Sequence, residues 1–436
     1  MLSKQKIFTL GFQHVLAMYA GAVVVPLIIG GALKLTQAQM AYLIAADLFT
    51  CGLATLIQVL GTRYIGIKLP VVLGCTFTAV GPIIAIASTT NIPTAYGAII
   101  VAGIFVALAA PLFGKLLRFF PTVVIGSVVT IIGLSLIPVA MNNVAGGQGS
   151  PDFGQPRNLL LALLTLAIIL IVNRFFSGFV RAISVLIGLA VGTTVAYFLG
   201  MVNFGAVSSA SAISIVQPFY FGAPQFNIAA IVTMIIVCII GMVESTGTYF
   251  ALSKVTGKEL KEQDIVGGLR AEGLAIVLGG LFNAFPYTSF SQNVGLVSLT
   301  GVKSRDVMFG AGFIMILLGL LPKLAALTTV IPNPVLGGAM VAMFGMVVAS
   351  GITILSHVDL RQNENLLIAA CSIAVGLGSS AVPQMFDHLP ETMKMLCTNG
   401  IVTGSVTAVL LNLLLMHSKG TVSSAEMAAQ TTGQEV

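Results

Sequence analysis

The stretch PYTSFSQNVGLVSLTGVKSR, Pro286 to Arg305, interrupts a sequence that is otherwise almost unbroken membrane-spanning hydrophobe. Pro286, Gly295 and Gly301 bracket Ser289, Ser291, Gln292 and Asn293, so the segment cannot form one continuous apolar helix. Inside a bilayer every backbone N–H and C=O needs a partner. Irregular polar backbone survives there only where protein, water or a ligand supplies one. This stretch is therefore the first place to expect a binding site.

Composition supplies the membrane that this reading requires. With 57% hydrophobic residues, 8% charged residues and a mean hydropathy of +1.04 over 436 residues, the chain has too little polar surface for a soluble globule. The net charge of +6 does not point to nucleic acid, because the 20 Lys and Arg are scattered rather than gathered into a stripe. Allotting roughly 20 apolar residues to each crossing gives an all-α polytopic protein of about fourteen spans between residues 8 and 416. With both termini cytoplasmic, only Lys34, Arg157, Lys323 and Lys394 of the 20 cations fall outside, the bias expected across a cell membrane. The segment MLSKQKIFTLGFQHVLAMYAGAVVVPL is expected to be the first span rather than a cleaved leader, and the polar tail after Lys419 to be disordered. Cys51, Cys75, Cys238, Cys371 and Cys397 form no CxxC pair and read as packing residues.

An internal repeat is also visible. PLFGKLLRFFPTVVIG begins at Pro111 and PKLAALTTVIPNPVLG at Pro322, 211 residues later, with matching Pro, Val and Gly spacing. An odd number of spans between the copies would invert the second relative to the first, the plan of many secondary transporters. Span three, KLPVVLGCTFTAVGPI from Lys68, and span ten, AFPYTSFSQNVGLVSLTG from Ala284, occupy corresponding places and are both interrupted by Pro and Gly. Paired broken spans mark a transporter's binding site.

Few ionisable groups are expected at membrane depth: His14 in span one, Asp47 in span two, Glu244 in span eight and Glu272 in span nine. An ionised side chain at the bilayer centre costs about 3 kcal/mol or more, so each should face a cavity or a partner. Glu244, in MVESTGTYF near mid-span, is expected to serve substrate or proton. Glu272 follows Arg270 near the start of its span, which leaves a local ion pair beside proton coupling or site support. His14 can be a hydrogen-bonded packing element or a proton carrier, and Asp47 can brace the bundle or pair with His14. Gln292 and Asn293 can satisfy the broken backbone, yet an amide that both donates and accepts also suits the edge of a planar heterocycle.

No GxxxxGK[ST], HExxH or GxSxG motif is present, nor a His and Cys cluster at metal-ligand spacing, so neither an enzyme nor a cofactor is expected. Energy must then come from an ion gradient or from the substrate's own gradient.

QNVGLVSLTG, Gln292 to Gly301, resembles the signature of the nucleobase–ascorbate transporters, also called nucleobase:cation symporters. Gln13 and His14, Glu244, the RAEG stretch carrying Glu272 and the chain length extend the resemblance over essentially the whole sequence. The likeness implies fourteen spans in two inverted seven-span repeats, with short β-strands in spans three and ten. A core would comprise residues 1–117 and 225–328, a gate residues 118–205 and 329–418, and a cytoplasmic tail residues 419–436. It implies a homodimer and proton-coupled uptake of a purine nucleobase. Gln292 at the first signature position accompanies xanthine or uric acid carriers where glutamate accompanies uracil carriers, and xanthine is placed ahead. The likeness puts Glu244 and Gln292 on the polar edge of the base, with Phe77, Thr76 and Ser291 completing the pocket. Glu272, His14, Asn293 and Thr248 would serve proton coupling or site support. Thr248 stands where some relatives carry a titrating histidine or aspartate, which leaves Glu244 and Glu272 as the proton-linked candidates. Anion carriers of similar architecture and a channel are the rival readings.

Overall fold

The computed structural model describes residues 3–117 and 119–416; Arg118 and the tail of residues 419–436 lie outside the described residues. The chain is helical nearly throughout. Long helices begin where a side chain can satisfy the free N–H groups of the first turn. Ser3 accepts from Lys6 at the start of α1 (Lys4–Ala32), and Thr36 and Gln39 cap each other's backbone at the start of α2 (Gln37–Leu60). Strand β1 (Leu73–Cys75) and a 3-10 turn, Phe77–Ala79, lead into α3 (Val80–Thr89), followed by α4 (Ile92–Ala109) and α5 (Phe113–Leu117). Helices α6 (Thr122–Val144), α7 (Pro156–Phe175), α8 (Gly178–Ala182), α9 (Ser184–Phe198) and α10 (Gly205–Ser209) complete the first half.

The second half is helical as well, with one short strand. Helix α11 (Ile228–Thr256) is capped by Asn227 and closed by Gly257 in the left-handed region, at φ 72°, where glycine carries no Cβ penalty. Helix α12 (Glu262–Leu281), strand β2 (Tyr287–Ser289), α13 (Gln292–Thr300), α14 (Asp306–Gly319) and α15 (Pro322–Thr328) follow. The chain ends its described part with α16 (Asn333–Ser356), α17 (Asn363–Ala381), α18 (Glu391–Cys397) and α19 (Gly400–Met416). Eight of the described helices are long and apolar enough to cross a membrane, which makes the chain a multi-pass membrane protein. Span eleven, expected to be continuous over residues 306–327, is instead broken by an 85° bend between α14 and α15. Pro322 lacks the N–H that an uninterrupted helix would use there.

Two compact units emerge. The first joins residues 1–110 to residues 137–343. Within it α2 lies along α12 and α14, α4 along α11 and α12, and α1 along α14. Small residues permit these contacts: a Cβ on Gly103 of α4 would stand 2.7 Å from the Val277 nitrogen and 2.8 Å from the Gly273 oxygen of α12. The second unit comprises residues 111–136 and 344–436. In its described part α17 and α19 pack together, joined by a 2.6 Å bond between the Ser379 and Thr403 hydroxyls.

Within the first unit β1 and β2 pair antiparallel, with Leu73 opposite Ser289, Gly74 opposite Thr288 and Cys75 opposite Tyr287. These strands fall inside the two stretches whose Pro, Gly and polar content disfavours a continuous helix. Each strand feeds a short helix, so the N-terminal ends of the 3-10 turn with α3 and of α13 both start at the strand pair. Those ends carry partial positive charge.

Candidate functional site

Helix α12 places Glu272 at its middle, not near its start as the Arg270 neighbourhood suggested. Glu272 is 1% exposed and makes no ion pair among the described residues. It accepts hydrogen bonds at one oxygen from Tyr249 of α11, at 2.7 Å, and from Ser289 of β2, at 2.8 Å. Tyr249 in turn accepts from Gln58 of α2 at 2.6 Å, and the same Gln58 amide donates to the Gly268 carbonyl at 3.1 Å. Gln58 Oε1 accepts from the Ile67 N–H at 3.2 Å. A buried polar relay therefore runs from α2 through α11 to the carboxylate and on to the strand. Ser245 of α11 takes the Ser289 N–H at 3.0 Å, and the Thr248 hydroxyl reaches the Ser289 carbonyl at 3.5 Å. Beside this group lies a cavity of about 10 Å³ bordered by Glu272, Thr76, Cys238, Gly241 and Thr288, which is room for one water and not for a base.

Glu244 is different in kind. It sits near the middle of α11, between buried Val243 and buried Ser245, yet is itself exposed. Its carboxylate has no hydrogen-bond partner among the described residues, while its backbone carbonyl accepts from Thr248 at 3.3 Å. A carboxylate held mid-helix with no protein donor is available to a solute, whereas Glu272 is fully committed inside the protein. Gly247, one turn further along α11, also opens onto space: nothing lies within 4 Å of where its Cβ would be.

The broken span supplies the facing groups. Ser291 and Gln292 open α13 and are both exposed, with the Ser291 hydroxyl 3.4 Å from Gln292 Oε1. Asn293 turns the other way. It is 1% exposed, and its Nδ2 donates to the His14 ring nitrogen Nδ1 at 3.0 Å and to the His14 carbonyl at 3.2 Å. His14 thus faces Asn293 rather than Asp47, and it holds α13 against α1. Across the ladder Thr76 caps the 3-10 turn by accepting from the Thr78 N–H at 3.2 Å, its own N–H donates to the Pro286 carbonyl at 3.1 Å, and half-buried Phe77 follows it. Gly74 lets this arrangement close: a Cβ there would stand 2.5 Å from the Phe290 ring.

The structure thus divides the expected residues. Glu272, Thr248, His14 and Asn293 are engaged in fixing β2 and α13, whereas Glu244, Ser291 and Gln292 are exposed, and no hydrogen bond joins Glu244 to Gln292 among the described residues. Gln58, Tyr249 and Ser245 were not singled out from sequence. An amide alone in the apolar second span was the signal available for Gln58. A larger cavity of about 520 Å³ opens at the start of α2, lined by Gln37, Tyr42, Ser214 and Tyr220 among others, and none of the expected site residues borders it.

Comparison with known proteins bears on this geometry. Residues 5–385 match the model of a permease family. The chain is 57% identical to the xanthine permease of Bacillus subtilis (strain 168), over 98% of each sequence. It is 58% identical to the uric acid permease PucK of the same organism, over 93% of this chain and 95% of the other. It is 57% identical to the nucleobase transporter PlUacP of Paenibacillus larvae, over 95% of each. Among solved structures, the transmembrane domain of the cyanobacterial bicarbonate transporter BicA aligns at a TM-score of 0.60 and 17% identity, covering 95% of this chain and 98% of that one. The murine anion transporter Slc26a9 aligns at 0.60 and 14% identity, covering 93% and 68%. At such identities these two likenesses speak to fold alone.

Proposed function

The chain belongs to the nucleobase–ascorbate transporter family, and from that premise we propose that it is a proton-coupled symporter importing an oxo-purine, xanthine first and uric acid as the alternative. It is a transporter and not an enzyme. The observation that carries the reading is Glu244, an exposed carboxylate without a protein donor among the described residues, one helical turn from Thr248, whose hydroxyl reaches the strand pair at Ser289. Oxo-purines offer N–H groups to such a carboxylate and carbonyl oxygens to the Gln292 amide. A base lacking either leaves a desolvated group unpaired, which is how hydrogen-bonding sites discriminate. Thr76, Phe77 and Ser291 complete the pocket, with the positive ends of the two short helix dipoles beside them. Neither β1, α3, β2 nor α13 contains Lys or Arg, so the fold shared with anion carriers comes here without a fixed positive charge deep in the broken spans.

In this mechanism Glu244 takes a proton on the outer side, binds base as a neutral group, and releases both inside. Glu272 holds Ser289 in place. One proton moving through about 100 mV supplies roughly 2.3 kcal/mol, enough for about fifty-fold accumulation of a neutral solute. The proposal includes fourteen spans in two inverted repeats, both termini cytoplasmic, and a homodimer. The two copies of the repeat support it, because Pro121 and Pro332 each immediately precede a long helix, α6 and α16, and each broken span forms a strand and then a short helix. Movement of a core, residues 1–117 and 225–328, against a gate, residues 118–205 and 329–418, belongs to the same proposal.

Uptake of radiolabelled xanthine into cells expressing the chain, competed with unlabelled uric acid, hypoxanthine, uracil, ascorbate and sulfate, tests the substrate. Inhibition by an oxo-purine and not by sulfate is expected. Inhibition by sulfate alone would transfer the chain to the anion carriers.

A further inference from the structure

Two buried carboxylates hold β2, and only Glu272 has been given a part in the site. Tyr287 and Ser289 are two residues apart on the strand and so share a face. Ser289 is bound to Glu272 of α12, whereas Tyr287 reaches Asp47 of α2, its hydroxyl donating to Oδ1 at 3.0 Å and lying 3.3 Å from the Asp47 carbonyl. The second carboxylate oxygen is met by the Cys51 thiol at 3.8 Å. Asp47 and Tyr287 are each 0% exposed, and no salt bridge engages Asp47 among the described residues. Tyr287 is also the ladder partner of Cys75, the residue directly before Thr76 and Phe77. On the opposite face of β2 the Thr288 methyl lies 2.9 Å from where a Cβ on Gly241 of α11 would stand, so the glycine is what leaves room for it.

We infer that Asp47 is a positioning residue for the base site: by holding Tyr287 it fixes the Cys75–Tyr287 pair, and with it the places from which Thr76–Phe77 and Ser291–Gln292 face the substrate. The inference rests on the assignment of those residues to the base site. The tether requires an acceptor oxygen at residue 47, which an amide provides and a hydrocarbon does not. Asp47 is not the proton carrier in this account.

Asp47→Asn, Asp47→Leu, Tyr287→Phe and the double variant Asp47→Leu with Tyr287→Phe are compared with wild type by xanthine uptake kinetics at matched amounts in the membrane. Asp47→Asn is expected to keep KM within about two-fold, while Asp47→Leu and Tyr287→Phe each raise it about ten-fold, with the double variant no worse than the worse single. Tyr287→Phe, the milder deletion, carries the test if Asp47→Leu fails to reach the membrane. A purely structural role would lower the amount of protein and the maximal rate together while leaving KM and the order of competing bases unmoved. That result overturns the inference, as does an Asp47→Asn variant as impaired as Asp47→Leu, which would make charge rather than the acceptor the requirement. Wild-type uptake in the same experiment separates the two levels. No base uptake by wild type removes the substrate assignment itself, whereas normal wild-type uptake with unchanged KM in Tyr287→Phe removes only the role of Asp47.

Discussion

The Ser289 hydroxyl donates to the Glu272 carboxylate at 2.8 Å, which ties the strand of the second broken span to the helix that precedes it. A carboxylate sealed inside the protein is cut off from bulk water, so every donor aimed at it counts. Ser289→Ala removes one of its hydroxyl donors. The expected cost is about 1.5 kcal/mol, seen as a rise of about ten-fold in KM for xanthine with protein still in the membrane.

Tyr249 links Glu272 to Gln58, and its loss should be worse. Tyr249→Phe removes the second donor from the carboxylate and leaves the Gln58 amide without that acceptor, so the detergent-solubilised protein should lose several degrees of thermal stability as well as transport. Gln58→Leu should lower stability similarly while leaving the Tyr249–Glu272 contact and more of the transport intact. Thermal unfolding followed beside uptake checks both.

Much of the architecture was legible in sequence because membranes restrict the alternatives so severely. Pro286, Gly295 and the run of polar residues between them had no continuous helix open to them, and the span is broken there; the strand within the break was implied by the family resemblance and not by these residues. Glu244 and Glu272 stood out by charge alone. Their division of labour did not, since both are carboxylates in apolar helices, and what separates them is which side of its helix each presents to protein. Gln58 and Tyr249 escaped notice for a related reason: they are 191 residues apart, and only packing of α2 against α11 and α12 makes them partners. His14 and Asn293 were both singled out, but their mutual bond depends on how α13 lies against α1, which no local pattern specifies.

Gln292→Glu should alter selectivity rather than folding, because the side chain is exposed and its hydrogen bond from Ser291, at 3.4 Å, survives in a carboxylate. A carboxylate accepts where the amide could also donate. Competition assays are expected to show weaker inhibition by xanthine and stronger inhibition by uracil.

Gly103→Leu should act on assembly. The added atoms would enter backbone of α12 at 2.7 to 2.8 Å, where neither partner is a flexible side-chain tip. The amount of protein in the membrane should fall sharply, while Gly247→Ala, which meets nothing within 4 Å, should leave it unchanged. Quantitative immunoblotting of membranes distinguishes them.

The central claim is that Glu244 couples base to proton, and it is tested most directly by loading proteoliposomes with purified wild type or Glu244→Gln and imposing an inward proton gradient. Wild type should concentrate radiolabelled xanthine above its external level and lose that ability on adding a protonophore, whereas Glu244→Gln, equally incorporated, should concentrate none. Gradient-driven accumulation by Glu244→Gln at the wild-type level would contradict the account.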